Sequence, residues 1–135
     1  MIRTCTVRGE LRGELERLWH VELGAARAAR GSGDRSVLWR RLGRAHIVSQ
    51  PLAGLHVRTH ALILVQGVRE RRAREVIGQV LRMAAAGPAS LAGRYPLGNT
   101  AGADVRATVP MAIPDDLASV LGRVQRTRRA AASER

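Results

Sequence analysis

Residues 34–51 read Asp34-Arg35-Ser36-Val37-Leu38-Trp39-Arg40-Arg41-Leu42-Gly43-Arg44-Ala45-His46-Ile47-Val48-Ser49-Gln50-Pro51. Leu38, Trp39, Leu42, Ala45 and His46 recur at helical spacing, so the stretch is an amphipathic helix with one apolar face. Asp34 or Ser36 supplies the side-chain oxygen that caps its first turn, and Pro51 forces it to end near Gln50. On its N-terminal side, residues 10–30 carry Leu11, Leu15, Leu18, Glu22, Ala25 and Ala29 on one helical face and stop at Gly31-Ser32-Gly33-Asp34. Two long helices joined by so short a break make an antiparallel hairpin.

The pattern continues downstream. A third helix is predicted over residues 54–66, aliphatic through Ala61-Leu62-Ile63-Leu64-Val65. A fourth is predicted over 72–86, with Val76, Ile77, Val80, Leu81 and Ala84 inward and Gly87-Pro88 as its stop. Gly33-Asp34 followed by Leu38, Leu42, Ala45 and Pro51 parallels Gly67 followed by Arg74, Ile77, Val80 and Pro88, an offset of roughly 34 to 37 residues, close to the tetratricopeptide period. From residue 89 to about 113 the chain is rich in Gly and Pro and reads as an ordered loop laid over the helices, with a short extended segment at 105–109. Pro114-Asp115-Asp116 opens a closing helix with Leu117, Val120, Leu121 and Val124 on its apolar face. The expected fold is therefore all-α: four to five helices in two tetratricopeptide-like antiparallel hairpins plus a Gly/Pro-rich ordered loop. A single helical domain spans 1–126 and a basic flexible tail 127–135.

Composition narrows the function classes. The chain has 135 residues with 23 arginines and no lysine, 11 acidic residues, and a net charge of +12. That length suits one domain, and the longest unbroken aliphatic run falls far short of the ~20 residues of a membrane-spanning helix. No secretory leader is visible in Met1-Ile2-Arg3-Thr4-Cys5, which makes the cytoplasm the expected compartment. Cys5 is the only cysteine, so an internal disulfide framework and a cysteine-based zinc site are excluded. The absence of lysine and scarcity of asparagine reflect a GC-rich codon choice, which makes Arg in place of Lys weak functional evidence. The twofold excess of basic over acidic residues still marks a surface that attracts anions.

Three of the four histidines lie within fifteen residues. His56 and His60, at i and i+4, share a helical face, and His46 lies on the apolar face of the preceding helix. Hairpin packing can bring the three together. Three neutral imidazoles suit Zn, Cu, Ni or Fe, with Glu75 or Glu22 as a candidate fourth ligand or acid/base group. A buried polar network with Gln50 and Gln79 is favoured over a bound ion, a metal-free catalytic base is a third reading, and the missing His-Glu-x-x-His spacing points to no metalloenzyme class. His20 falls on the opposite side of the first helix and reads as surface. Arg40, Arg41 and Arg44 occupy places in the first hairpin that correspond to Arg71, Arg72 and Arg74 in the second, which predicts a basic ridge. A third cluster falls at Arg123, Arg126, Arg128 and Arg129. No interleaved aromatics are present to stack bases, so a solvated face is favoured over nucleic-acid binding. The Gly98-Asn99-Thr100 turn, with Arg94 nearby, is a candidate anion site.

Taken together, Trp39-x-x-Leu42-x-Arg44-Ala45-His46, His56-x-x-x-His60, Glu75-x-x-Gly78-Gln79-x-x-Arg82 and Gly98-Asn99-Thr100 resemble a family of small helical bacterial proteins catalogued as a domain of unknown function. The resemblance covers about residues 15–121. It implies a compact helical protein, sometimes encoded among metal-resistance genes, and assigns no activity. The expected function is a non-enzymatic accessory module that binds a partner protein through the helical groove or the arginine ridge. The alternatives are a transition-metal-binding protein or metalloenzyme using His46, His56 and His60, and non-specific nucleic-acid binding through the arginines.

Overall fold

The computed structural model describes residues 2–102 and 104–133, with the side chains of 2–7 outside that description. Cys5 thus falls outside the described side chains, as Glu134 and Arg135 fall outside the described residues. Five helices follow one another: α1 (Ile2–Ser32), α2 (Arg35–Ser49), α3 (Ala53–Arg69), α4 (Ala73–Leu91) and α5 (Asp115–Ser133). No strand occurs among the described residues, so the segment at 105–109 is a series of turns rather than extended chain. No helix is long and apolar enough to cross a membrane. α1 packs on α2 and α3 on α4 as two hairpins, α2 rests against α3, and α5 returns to α1.

The first hairpin turns tightly. Gly33 takes φ +77°, a left-handed conformation that glycine adopts without a Cβ penalty, and the Asp34 amide donates to the Ala29 carbonyl at 2.9 Å. The Asp34 carboxylate then accepts from the Val37 amide at 2.9 Å and caps α2. α1 is longer than the sequence reading, and its buried face is Leu11, Leu15, Trp19, Leu23, Ala26 and Ala29, with Glu22 beside them. Stepping by four from Leu15 puts Trp19 inside and leaves Leu18 and Ala25 at the margin. Leu38, Leu42, Ala45, Ile47 and Val48 of α2, Ile63 of α3, and Leu117, Val120, Leu121 and Val124 of α5 complete the apolar core. The Trp19 indole is 1% exposed and donates to the Thr59 hydroxyl at 2.8 Å, which ties α1 to α3.

α4 contributes nothing to that core. Its inward face is Glu75, Gln79, Ala86 and Ser90, whereas Ile77, Val80 and Leu81 are 63%, 55% and 70% exposed. The inward face assigned by hydrophobic pattern is therefore inverted. The helix also runs through Pro88 to Leu91 instead of stopping at Gly87-Pro88. What holds the extra turn is polar: the Ser90 hydroxyl donates to the Gln50 carbonyl at 2.6 Å, and Arg128 donates to the Ser90 carbonyl at 3.2 Å. α5 reaches Ser133, so the segment read from sequence as a tail from residue 127 is helical over most of its length.

The Gly/Pro-rich segment between α4 and α5 covers one side of the helices. Gly98 takes φ +72° in it, and a Cβ at that position would stand 2.1 Å from the Met111 carbonyl oxygen, so only glycine fits. The Gln50 amide donates to the Pro96 carbonyl at 2.6 Å, and the Arg82 guanidinium donates to the carbonyls of Ala101, Gly102 and Val105. The loop thereby becomes a wall over α2, α3 and α4.

Candidate metal centre

α2 delivers His46 and α3 delivers His56 and His60 to one buried point beneath this loop. The three rings lie with centroids 4.7–5.0 Å apart. Their Nε2 atoms converge: His46 Nε2 is 3.2 Å from His60 Nε2 and 2.9 Å from His56 Nε2.

The opposite ring nitrogens fix which tautomer each ring adopts. His46 Nδ1 faces the Asn99 carbonyl at 2.6 Å, an acceptor only, so Nδ1 carries the proton. His60 Nδ1 faces the Gln79 amide oxygen at 2.5 Å. That amide cannot be turned round, because its nitrogen donates to the Glu75 carboxylate and to the Ala101 carbonyl, each at 2.6 Å. His56 Nδ1 lies 2.6 Å from the Ser90 hydroxyl, whose own proton is committed to the Gln50 carbonyl. Three separate constraints therefore place a proton on every Nδ1 and leave a lone pair on every Nε2. In the neutral state three lone pairs point at one another with no hydrogen between them.

Burial opposes relief of this crowding by protonation. It holds His46 well below the usual imidazole pKa, with the other two imidazoles adding to the effect. Burial, assisted by His60, brings His56 down to about 4. Burial also lowers His60, against the opposing bond to Gln79. Near neutral pH the cluster is thus three uncharged nitrogen donors. Metal–nitrogen bonds of ~2.0–2.1 Å set neighbouring nitrogens about 3.3 Å apart in a tetrahedral arrangement, close to the two spacings from His46 Nε2. Each imidazole is also backed by a hydrogen-bond acceptor of the kind that orients metal-bound histidines and raises their basicity.

Three donors leave a coordination position open. A cavity of about 440 Å³ begins at the three histidines and is walled by Arg82, Ala86, Arg94, Tyr95 and Thr108 among others. The remaining residues singled out by sequence take other places. Glu22 is not at the cluster; it binds Arg44 Nε at 2.8 Å and Arg41 at 3.1 Å between α1 and α2, where its buried charge is compensated. Glu75 accepts from the Gln79 amide, and its charge also acts on His60. Gln50 takes part through its backbone carbonyl and anchors the loop with its side chain.

Gly98-Asn99-Thr100 is not an exposed anion cradle. The Asn99 amide donates to the Pro96 carbonyl, the Ala101 amide to the Asn99 side-chain oxygen, and the Asn99 side-chain nitrogen to Arg106 and Val109 carbonyls. Arg94 lines the same cavity as Asn99.

The basic ridge forms in part. Arg40, Arg44, Arg72 and Arg74 line a single groove of about 1240 Å³ between the hairpins, joined by Arg35 and Trp39. Arg41 and Arg44 are committed to Glu22, and Arg44 also to Asp116, while Arg72 stacks 4.7 Å from the centre of the Trp39 ring. Arg71 sits in the α3–α4 turn at φ 54° and is not on the groove wall. Of the third cluster, Arg123 pairs with Glu14 at 2.6 Å and Arg128 ties α5 to Tyr95 and Ser90.

Sequence reasoning gave no role to Ser90, Arg82 or the Asn99 carbonyl. The first two carry a signal, since Glu75, Gln79, Arg82, Ala86 and Ser90 recur at three and four and mark a polar helical stripe. A backbone carbonyl carries none.

A family model described as a protein of unknown function (DUF3703) matches residues 13–121, a span that includes all three histidines and every partner of their Nδ1 atoms. No curated protein and no solved structure matches the chain.

Proposed function

The chain belongs to the DUF3703 family, and we propose that it is a transition-metal-binding protein that holds a divalent ion through the Nε2 atoms of His46, His56 and His60. The observation that carries this reading is the convergence of three Nε2 lone pairs while every Nδ1 proton is spent elsewhere. A structural polar network would be expected to place at least one proton between such close nitrogens. An ion between them turns the crowding into attraction. Imidazole donors without thiolate suit Zn, Cu, Ni or Fe over Ca or Mg. A bound ion of this kind acts as a Lewis acid toward whatever takes the remaining position. The protein's own share is to hold three donors in one tautomer, exclude bulk water from the imidazole side, and leave a single approach through the cavity.

The test is metal content by inductively coupled plasma mass spectrometry after incubation with each of the four metals and gel filtration. Wild type should retain about one equivalent of at least one of them, and His56→Ala and His60→Ala should each retain less than a tenth of that. A wild type that stays metal-free with all four overturns the reading.

A second reading, binding of an acidic protein partner, is supported by the five arginines that share the inter-hairpin groove. Poly-glutamate should then bind in competition with salt, and Arg40→Ala with Arg74→Ala should weaken it several-fold. Equal binding by that double variant removes the reading.

A further inference from the structure

The cavity on the open side of the histidine cluster has its own charge problem. Arg82 enters its wall with a guanidinium held by the carbonyls of Ala101, Gly102 and Val105, and Arg94 stands on the same wall. Neither makes an ion pair with any described residue, and no aspartate or glutamate is among the lining residues. Glu75 stands outside this lining and accepts from the Gln79 amide. A divalent ion on three neutral imidazoles would add two further positive charges to a chamber already walled by two guanidiniums. Positive charge gathered in one chamber with no acidic lining residue calls for an anion.

The rest of the wall says what kind. Ala85, Ala86, Ala89, Pro96 and Pro110 give it an apolar surface. Tyr95 is kept protonated by burial, and its hydroxyl oxygen already accepts from Arg128 at 3.0 Å, so its own proton is the group left to offer. A volume of about 440 Å³ lies within the range of pockets for small organic molecules, roughly 300–1000 Å³. A strongly hydrated inorganic oxyanion would lose its water shell against the alanines and prolines, whereas a short hydrocarbon body fits them.

Resting on the metal reading above, we infer that the cavity is a binding site for a small organic carboxylate, which takes the open coordination position of the ion and is charge-matched by Arg94 on the wall. Arg82 is already spent on three carbonyls and supplies field rather than contact. Arg94 is exposed and free to close on the ligand, and its planar fork matches a carboxylate.

The experiment uses the full chain loaded with Co(II), whose visible absorption bands report the ligands of the ion, titrated with butyrate, phosphate and chloride. Butyrate should shift the bands at concentrations at least tenfold below those needed for phosphate or chloride. Arg94→Ala should show the same bands before titration and need at least tenfold more butyrate, and Arg94→Lys should recover part of the loss. Bands that do not respond to butyrate, an Arg94→Ala protein that titrates like wild type, or tighter binding of phosphate than of butyrate each overturn the carboxylate site. Failure of the wild type to develop cobalt bands at all is a different result, which falls on the histidine cluster as a metal ligand set.

Discussion

In the α1–α2 hairpin the residues turned inward are Leu15, Trp19, Leu23, Leu38, Leu42 and Val48; in the α3–α4 hairpin they include His56, His60, Glu75, Gln79 and Ser90, while Ile77, Val80 and Leu81 face out. The two units close their turns in the same way, yet they bury opposite kinds of surface. The first is held by apolar burial, worth roughly 1.5–3 kcal/mol per large side chain. The second is held by a chain of hydrogen bonds that runs from Glu75 through Gln79 to His60, and from Gln50 through Ser90 to His56. Such a network contributes little net energy per bond, about 1 kcal/mol, but leaving any member without its partner costs more. Apolar stability is concentrated in the first hairpin, whereas the polar site is built from the second together with His46 of α2.

The largest effect should come from the first hairpin. Trp19→Ala removes the side chain that fills the junction of α1, α2 and α3 and leaves the Thr59 hydroxyl without its donor. Truncations of this kind cost ~3–5 kcal/mol. Urea unfolding followed by circular dichroism should show that loss, and a cost below about 1 kcal/mol would break the claim that apolar packing of α1 carries the fold.

How far the difference between the hairpins could be read in advance follows from what the apolar pattern measures. Leu38, Leu42 and Ala45 are buried as their spacing requires, and the closing helix buries Leu117, Val120, Leu121 and Val124 as expected. For α1 the reading followed a face through Leu18 and Ala25, whereas the structure turns Trp19 and Leu23 inside. For α4 the pattern pointed the wrong way. Hydrophobic periodicity orients a helix only when its neighbour across the interface is apolar, and the neighbour of α4 is a cluster of imidazoles. The i, i+4 pair on α3 and the placement of His46 were legible because helical geometry alone decides which residues share a face. The acceptors behind each Nδ1 were only half legible. Gln79 stood out as a polar residue, but Ser90 lay beyond a proline that would ordinarily end the helix, and Asn99 acts through a backbone oxygen.

An intermediate effect should separate the hairpins by pH. Because the folded-state pKa values of His46, His56 and His60 all lie below the unfolded value, the unfolded chain binds more protons at mildly acid pH, and stability falls as pH drops. The loss should open near the unfolded pKa of ~6.5 and continue toward the folded value of His56, about 4. Metal-free wild type should therefore unfold at progressively lower urea between these limits, and His56→Ala should show a shallower slope. Trp19→Ala should lower the whole curve and leave its slope unchanged. A wild-type midpoint that is flat across this window would show that the imidazoles are not buried as neutral groups. In the metal-loaded protein, protection by a saturating metal, about 2.7 kcal/mol at a hundred times the dissociation constant, should persist until the folded imidazoles themselves take up protons, toward the His56 value of about 4.

The smallest effect is the sharpest check on the inversion of α4. Ile77 and Leu81 look like core residues in sequence, and replacing a core leucine with a polar residue would cost several kcal/mol through lost burial and an unsatisfied amide. At 63% and 70% exposure neither penalty applies. Ile77→Gln and Leu81→Gln should each change the unfolding free energy by no more than ~0.5 kcal/mol, the usual range for surface substitutions, and metal content should be unchanged. Glutamine is a good helix former, so what it loses in apolar contact along the outer face of α4 is offset in part by propensity. If Leu81→Gln instead cost as much as Trp19→Ala, the apolar face of α4 would be turned inward, Gln79 and Ser90 would be turned away from the imidazoles, and the two hairpins would bury the same kind of surface after all.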